Sequence, residues 1–297
     1  MTMSTTTRVA IVTGAAGGLG RAEAIGLAAD GATVLVNDMA SALDASDVVD
    51  AITAAGGTAV PVAGDIGERS TADELLRVAT EEHGRLDVVV NNAGIVRDRM
   101  LFNMSDDEWD AVIRVHLRGH FLLTRNAGAW WRSVAKDSGH PVEGRLVNTS
   151  SEAGLVGPEG QPNYGAAKAG ITALTLSASR AYARFGVTAN AICPRARTTM
   201  TAGVFGDAPS GETDPLAPEH VVTLVRFLAS PGSADVTGQV FVVYGPRVTV
   251  MGPPVVDARF DAEGAAFDLA TLSGELTRYF ADRDPSRTFS AAHALGM

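Results

Sequence analysis

Tyr164 and Lys168 stand four positions apart in Asn163-Tyr164-Gly165-Ala166-Ala167-Lys168-Ala169-Gly170, and Ser151 lies thirteen positions before the tyrosine. On a helix, residues i and i+4 share a face. The phenol and the ammonium can therefore converge on one small volume. A free tyrosine has a pKa of about 10 and is roughly 0.1% phenolate at neutral pH. A cation within ~4–6 Å can lower such a pKa by about 1–3 units, which would leave a general acid/base able to work near neutral pH. The spacing alone is weak evidence, because any long helix offers such a pair and the plain alternative is a surface tyrosine beside a solvated lysine.

A second feature stands near the N-terminus. Arg8-Val9-Ala10-Ile11-Val12-Thr13-Gly14-Ala15-Ala16-Gly17-Gly18-Leu19-Gly20 reads as a short apolar strand, a glycine-rich turn and the start of a helix. Glycines let backbone amides approach a pyrophosphate, and a helix N-terminus favours its charge. Gly14, Gly18 and Gly20 give the spacing T-G-x-x-x-G-x-G, which differs from the commoner G-x-G-x-x-G dinucleotide fingerprint.

With these elements together the chain resembles the short-chain dehydrogenase/reductase family from about Arg8 to Tyr244. The marks occur in order: Thr13-Gly14-(x3)-Gly18-x-Gly20, Asn91-Asn92-Ala93-Gly94, Ser151, and Tyr164-x3-Lys168. The resemblance implies an NAD(P)-dependent oxidoreductase that needs no metal. Tyr164 would be the acid/base, Lys168 would lower its pKa and hold the nicotinamide ribose, and Ser151 would orient the substrate oxygen. Ser150 is a rival that the spacing to Tyr164 disfavours. Gly14, Gly18, Leu19 and Gly20 would cradle the cofactor. Asp65 and Ile66 would meet its adenine, Asn92, Ala93 and Gly94 would wall it, and Pro194 with Thr199 would lie at the nicotinamide. The register of the last contact is open between Thr198 and Thr199. Asn91 has a purely sheet-stabilising alternative.

Asp38 ends the strand Thr33-Val34-Leu35-Val36-Asn37. In dinucleotide folds an acidic residue there accepts hydrogen bonds from the adenosine ribose, and a 2′-phosphate would be repelled. Ala15 and Ala16 offer no cation to relieve that, so the expected cofactor is NAD. Two positions depart from the family pattern. His116 stands where many members carry a relay asparagine that holds a water. Arg195 follows Pro194 where glycine is usual, so the nicotinamide loop should differ in conformation or charge.

The surrounding elements follow from periodicity. Strand-like runs at 9–13, 33–37, 58–63, 87–91, 145–149, 187–192 and 239–243 alternate with helical patterns at about 18–29, 42–55, 70–83, 106–131, 164–185 and 219–229. That rhythm predicts an α/β fold, a single Rossmann-like doubly wound parallel sheet of about seven strands with helices on both faces. Ser105-Asp106-Asp107-Glu108 forms a capping box. Residues 1–7 read as a flexible tail, 8–244 as the dinucleotide-binding domain, and 245–297 as a helical extension packed on the core or on a neighbouring subunit. Within the extension Leu269, Leu272, Leu276, Tyr279 and Phe280 fall on one helix face. Ser133–Gly144 reads as a polar surface loop, and Met200–Pro218 as a substrate lid whose Val204, Phe205 and Leu216 suit a lipid-like substrate.

Composition limits the classes. The chain has 297 residues, 46% hydrophobic and 20% charged, with a net charge of −10. That is ordinary for a globular enzyme, and the acidic balance with no basic block argues against nucleic acid as a partner. No apolar run is long enough to span a bilayer, and the polar N-terminus lacks a signal-peptide core. Cys193 is the single cysteine, so the chain forms no internal disulfide, which fits a reducing cytoplasm. The resemblance further implies a homo-oligomer, a tetramer or a dimer. The favoured activity is oxidation of a 3-hydroxyacyl thioester or hydroxysteroid with NAD. The alternatives are an NADPH-dependent 3-oxoacyl carrier-protein reductase and a non-enzymatic NAD-binding regulator.

Overall fold

Val9–Thr13, the first strand (β1), is apolar on both faces, as a central parallel strand must be when helices cover both sides. In the computed structural model, which describes residues 7–198, 200–201, 205–209, 214–285 and 287–296, it lies within an eight-stranded sheet. The other strands are β2 (Thr33–Asp38), β3 (Thr58–Ala63), β4 (Val88–Asn91), β5 (Arg145–Thr149), β6 (Thr188–Pro194), β7 (Val240–Tyr244) and β8 (Arg247–Val250). The order is β3-β2-β1-β4-β5-β6-β7-β8. The first seven run parallel, and β8 pairs antiparallel with β7 through Tyr244↔Arg247 and Val242↔Thr249.

The helices are α1 (Gly18–Ala29), α2 (Ala40–Asp44), α3 (Val48–Ala54), α4 (Arg69–Arg77), α5 (Asp106–Ile113), α6 (Gly119–Ser138), α7 (Ala153–Val156), α8 (Pro162–Tyr182), α9 (Pro218–Ala229), α10 (Leu269–Ala281) and α11 (Ala292–Leu295). Alternate residues of each strand feed two cores. Ala10, Val12, Val34, Val36, Val90 and Ile192 face α1, α3 and α9, whereas Val9, Ile11, Leu35, Val89 and Leu146 face α4, α6 and α8. Strand order reverses between β1 and β4, so a crevice opens beyond their carboxyl ends, where open α/β sheets bind ligands.

Four differences from the sequence-based expectation have physical causes. The sheet has an eighth strand, because Gly245-Pro246 makes a tight turn into Arg247-Val248-Thr249-Val250. The sheet therefore runs past the boundary drawn at 244, and a compact unit of residues 1–250 is followed by a separate one at 251–297. The 42–55 helix is two pieces, since the Ser46 hydroxyl takes the Val48 amide and donates to the Ala16 carbonyl, competing with the helix ladder. Helix α6 continues through Ser138 before Gly139 closes it, so the first half of the expected 133–144 loop is helix. Lastly, the 106–131 helix is interrupted at Arg114–Arg118 by a π-turn.

The second unit has its own order. Asp268 caps α10 by accepting the Thr271 amide at 2.9 Å, which places the expected amphipathic helix at Leu269–Ala281. Asp257 accepts from the Tyr279 hydroxyl at 2.6 Å and pairs with Arg283 and Arg287. Among the described residues no helix is long and apolar enough to cross a membrane.

Candidate active site

The crevice holds a cavity of about 490 Å³ lined by the glycine turn, the ends of β2, β4 and β5, and the start of α8. Its floor is set by close backbone approach. A side chain on Gly14, which has φ 67°, would stand 2.7 Å from the Ala93 Cα, so the turn after β1 abuts the turn after β4. The Thr13 hydroxyl accepts both the Asn92 and Ala93 amides, and the Asn92 side-chain amide returns to the Thr13 and Gly14 carbonyls. Asn91 points the other way. Wholly buried, it donates to Asn148 and Thr124 and ties the sheet to α6, so its sheet-stabilising alternative holds.

Asp38 lies at the far end of the cavity. Its carboxylate accepts the Ala16 amide at 3.1 Å and the Met39 amide at 2.8 Å. The neighbouring turn residues Ala15, Ala16 and Gly17 are uncharged. Asp65 also lines the cavity and takes the Gly67 amide and the Arg114 guanidinium, the latter at 2.7 Å. Arg114 was not singled out from the sequence, since nothing local marks it as the partner of a residue so far away.

At the other end, Tyr164 and Lys168 come one turn apart on α8, with the Lys168 ammonium 5.4 Å from the phenol ring centre. Tyr164 and Ser151 both line the cavity, and Ser151 is close enough to the phenol to pull its pKa down. Ser150 turns away, donating to the Lys168 carbonyl and meeting Thr172, so Ser151 is the serine that faces the site. Lys168 is 1% exposed and donates to the Thr149 carbonyl at 2.5 Å. Asn163, unremarked in the sequence, is buried and donates to the Arg97 and Glu108 carbonyls while accepting the Tyr164 amide, which fixes the start of α8.

The electrostatics correct one expectation. Burial pushes the Tyr164 phenol above its ordinary pKa, against the opposing pull of Ser151. Burial also pushes Lys168 down to about 7. The lysine was expected to depress the phenol, but desolvation wins on both groups, and phenolate formation depends on Lys168 keeping its proton.

His116 sits in the π-turn, 1% exposed, with its ring edge-on to Tyr164 at 5.2 Å between centres. Its Nε2 lies 2.7 Å from the Ile95 carbonyl, and its Nδ1 has no partner among the described residues. Burial, and then the Lys168 charge, hold it well below its usual pKa, so it is neutral. A Cβ on Gly94 would collide with this ring; the small residue there makes room for histidine.

Pro194 and Thr198 line the cavity. Thr199, together with Gly203, Val204 and Gly211 of the expected lid, lies outside the described residues. Arg195, next to Pro194, forms a bidentate pair with Glu152 at 2.6 Å for each contact. Cys193 is buried on β6, and burial pushes its thiol up to about 12, which makes it core filling. Among the described residues no His, Cys, Asp and Glu cluster could hold a metal ion.

A cavity that pairs a glycine turn against β4 at one end with a Ser–Tyr–Lys cluster at the other matches a known sequence profile. The family described as short chain dehydrogenase matches residues 8–208. The chain belongs to the short-chain dehydrogenase family. This short-chain dehydrogenase is accordingly an oxidoreductase acting on CH–OH groups with a nicotinamide cofactor. It is 68% identical over 292 residues, 96% of this chain and 92% of the other, to the hydroxyacyl-CoA dehydrogenase ChsB1 of Mycobacterium tuberculosis. It is 40% identical to a 3-oxoacyl-(acyl-carrier-protein) reductase of Synechocystis, covering 82% of this chain and 98% of that one. A crystal structure of a short chain dehydrogenase from Mycobacterium avium superposes with a TM-score of 0.83 at 46% identity, covering 94% of this chain and 96% of that one.

Proposed function

We propose that this short-chain dehydrogenase oxidises a 3-hydroxyacyl-CoA thioester to the 3-oxo compound with NAD. The observation that carries the cofactor choice is Asp38, held by two backbone amides at the ribose end of the cavity with uncharged residues around it. Support for the substrate class comes from the 68% likeness to a hydroxyacyl-CoA dehydrogenase. The cavity residues fit a dinucleotide: Gly14, Gly18 and Leu19 for the pyrophosphate, Asp38 for the adenosine ribose, Asp65 and Ile66 for adenine, and Asn92, Ala93 and Gly94 along one wall. Gly20 does not line the cavity but packs against the Gly14 carbonyl, where any side chain would collide. Lys168 would hold the nicotinamide ribose, with Pro194 and Thr198 beside the ring. When bound, the nicotinamide supplies a hydride acceptor at C4.

The protein's own part is the proton. Ser151 hydrogen-bonds the substrate oxygen and Tyr164 takes the hydroxyl proton as hydride leaves the carbon. Lys168 stabilises the Tyr164 phenolate that must be present before it can take that proton, and the transfer leaves Tyr164 as the neutral phenol. Neutral His116, with Nδ1 unpaired, holds a water on the path by which the proton leaves. In the reverse direction Tyr164 donates the proton to the ketone.

The test is NADH formation from 3-hydroxyacyl-CoA substrates of several chain lengths. Failure with all of them, in the face of faster NADPH-dependent reduction of a 3-oxoacyl carrier protein, would establish the reductase reading that the Synechocystis likeness supports. The protein acts in the cytoplasm as a homo-oligomer in this reading, and light scattering that shows a stable monomer at micromolar concentration would refute the assembly. Removing residues 257–297 should change KM or oligomeric state and leave NADH affinity nearly intact; an unchanged truncated enzyme would leave the extension without such a role.

A further inference from the structure

Two walls of the cavity come from loops far apart in sequence. Ser151 belongs to the loop after β5, and Pro194 ends β6. The residue after each is charged. Glu152 follows Ser151, Arg195 follows Pro194, and the two side chains meet in a planar fork, Nε to Oε2 and Nη2 to Oε1, both at 2.6 Å. The side chains are only 13% and 26% exposed, so solvent screens the pair less than a surface one.

The guanidinium is supported from behind. Its carbon stands 4.8 Å from the centre of the Tyr244 ring, and Arg247 donates to the Tyr244 hydroxyl at 3.2 Å. Tyr244 and Arg247 are the cross-strand pair that opens the β7–β8 hairpin. Both loops are also pinned locally. The Arg195 amide donates to the Val243 carbonyl at 2.9 Å, and the Ala153 amide donates to the Ser151 hydroxyl at 3.1 Å. A line of contacts thus runs from the antiparallel edge hairpin through Tyr244, Arg195 and Glu152 to the serine.

We infer that the Glu152–Arg195 fork, braced by Tyr244, is a latch that holds the Ser151 loop and the Pro194 wall at fixed spacing, which makes both members positioning residues for nicotinamide and substrate. Neither side chain lines the cavity, so neither touches the reacting atoms. Their effect passes through the backbone to a neighbour that does. A glycine at position 195 could form no such fork. Arginine suits it because the planar guanidinium meets both carboxylate oxygens at once, which lysine cannot do. The inference rests on the nicotinamide site proposed above but not on the identity of the substrate.

The test separates the nicotinamide ring from the rest of the cofactor. NADH reports on the whole site, whereas ADP-ribose lacks only the nicotinamide ring and reports on the adenosine, pyrophosphate and second ribose without it. Glu152→Gln and Arg195→Met keep side-chain bulk and remove the ion pair. Each should weaken NADH by about tenfold and leave ADP-ribose within about twofold, because a displacement near 1 Å at a positioned group costs up to about 10²-fold. Oxidation of 3-hydroxybutyryl-CoA by these variants should lose kcat rather than gain KM. The double variant should lose no more than either single one, since the two act as one unit. Arg195→Lys should fall between, and the exchange Glu152→Arg with Arg195→Glu should recover part of the loss.

The latch is overturned by NADH affinity within twofold of the parent in both single variants, by additive losses in the double variant, or by ADP-ribose affinity and thermal stability falling in step with NADH. If the parent enzyme binds NADH and leaves 3-hydroxybutyryl-CoA untouched, the substrate reading fails while the binding comparison still decides the latch.

Discussion

Replacing Asp38 by asparagine tests the cofactor choice at its physical root. The side chain keeps its shape and one carbonyl acceptor. The Ala16 and Met39 amides now meet different carboxylate oxygens, at 3.1 and 2.8 Å, so only one of them retains a partner. The charge goes, together with one acceptor. A 2′-phosphate on the adenosine ribose would approach the carboxylate to about 4 Å, where two unit charges cost ~4 kcal/mol at an effective dielectric of 20. Asp38 is partly exposed, so about half of that survives, and ~2 kcal/mol corresponds to a roughly 30-fold preference for NADH over NADPH. In Asp38→Asn that repulsion vanishes. NADH should also weaken by up to about tenfold as charge-assisted hydrogen bonds become neutral ones. The variant should therefore bind the two cofactors within a few-fold of each other, with no gain of a true phosphate site because no cation has been added. Fluorescence titration of both reduced cofactors against both proteins measures this. Tighter NADPH in the parent, or an undiminished gap in Asp38→Asn, would refute the reasoning.

Three further outcomes are expected. Tyr164→Phe keeps the ring against His116 and removes the hydroxyl, so kcat should fall by roughly 10²–10⁴ while cofactor binding survives; a steady-state assay with normal turnover would overturn the acid/base role. Lys168→Met should abolish turnover yet stabilise the fold at neutral pH. Burial lowers this ammonium's pKa from 10.5 to about 7, so between those values the unfolded chain holds a proton that the native one lacks. Stability from this residue therefore rises with pH across that window. Urea melts at pH 7 and pH 10 should show the variant's advantage shrinking as pH rises, and a constant difference would count against it. Glu23→Gln tests the opposite sign. Glu23 is wholly buried on α1, neither carboxyl oxygen has a partner among the described residues, and burial raises its pKa from 4.5 to about 8. Its contribution is present below 4.5 and is lost as pH rises through 8, so the variant should gain on the parent between pH 5 and pH 9 in the same melts.

The parts of this protein legible from its sequence are those specified locally. β1, β3 and β5 and helix α1 fall where alternation and the glycine turn put them, because each is fixed by residues within a few positions. The four motifs were legible for the same reason, and the fold gathers all of them on one crevice. What could not be read depends on distant partners. Arg114 is defined by Asp65, and Glu152 by Arg195; neither relation leaves a periodic trace. β8 is short and follows a turn, so only its pairing with β7 makes it a strand. The expected lowering of the Tyr164 pKa by Lys168 rests on spacing, which conveys proximity but not burial, and burial raises the phenol and lowers the ammonium.

The π-turn at Arg114–Arg118 has an evolutionary consequence. A π-turn is in effect one residue inserted into an α-helix, and each residue turns an α-helix by about 100°. Deleting a single residue from this stretch would let α5 and α6 fuse into one regular helix. It would also rotate one flank against the other and swing His116 away from Tyr164 and Ile95. The exposed bend at Gly139–His140 faces no such constraint. Length changes among descendants of this chain should accumulate at that bend and be purged from the five residues around His116, even where substitutions there are harmless.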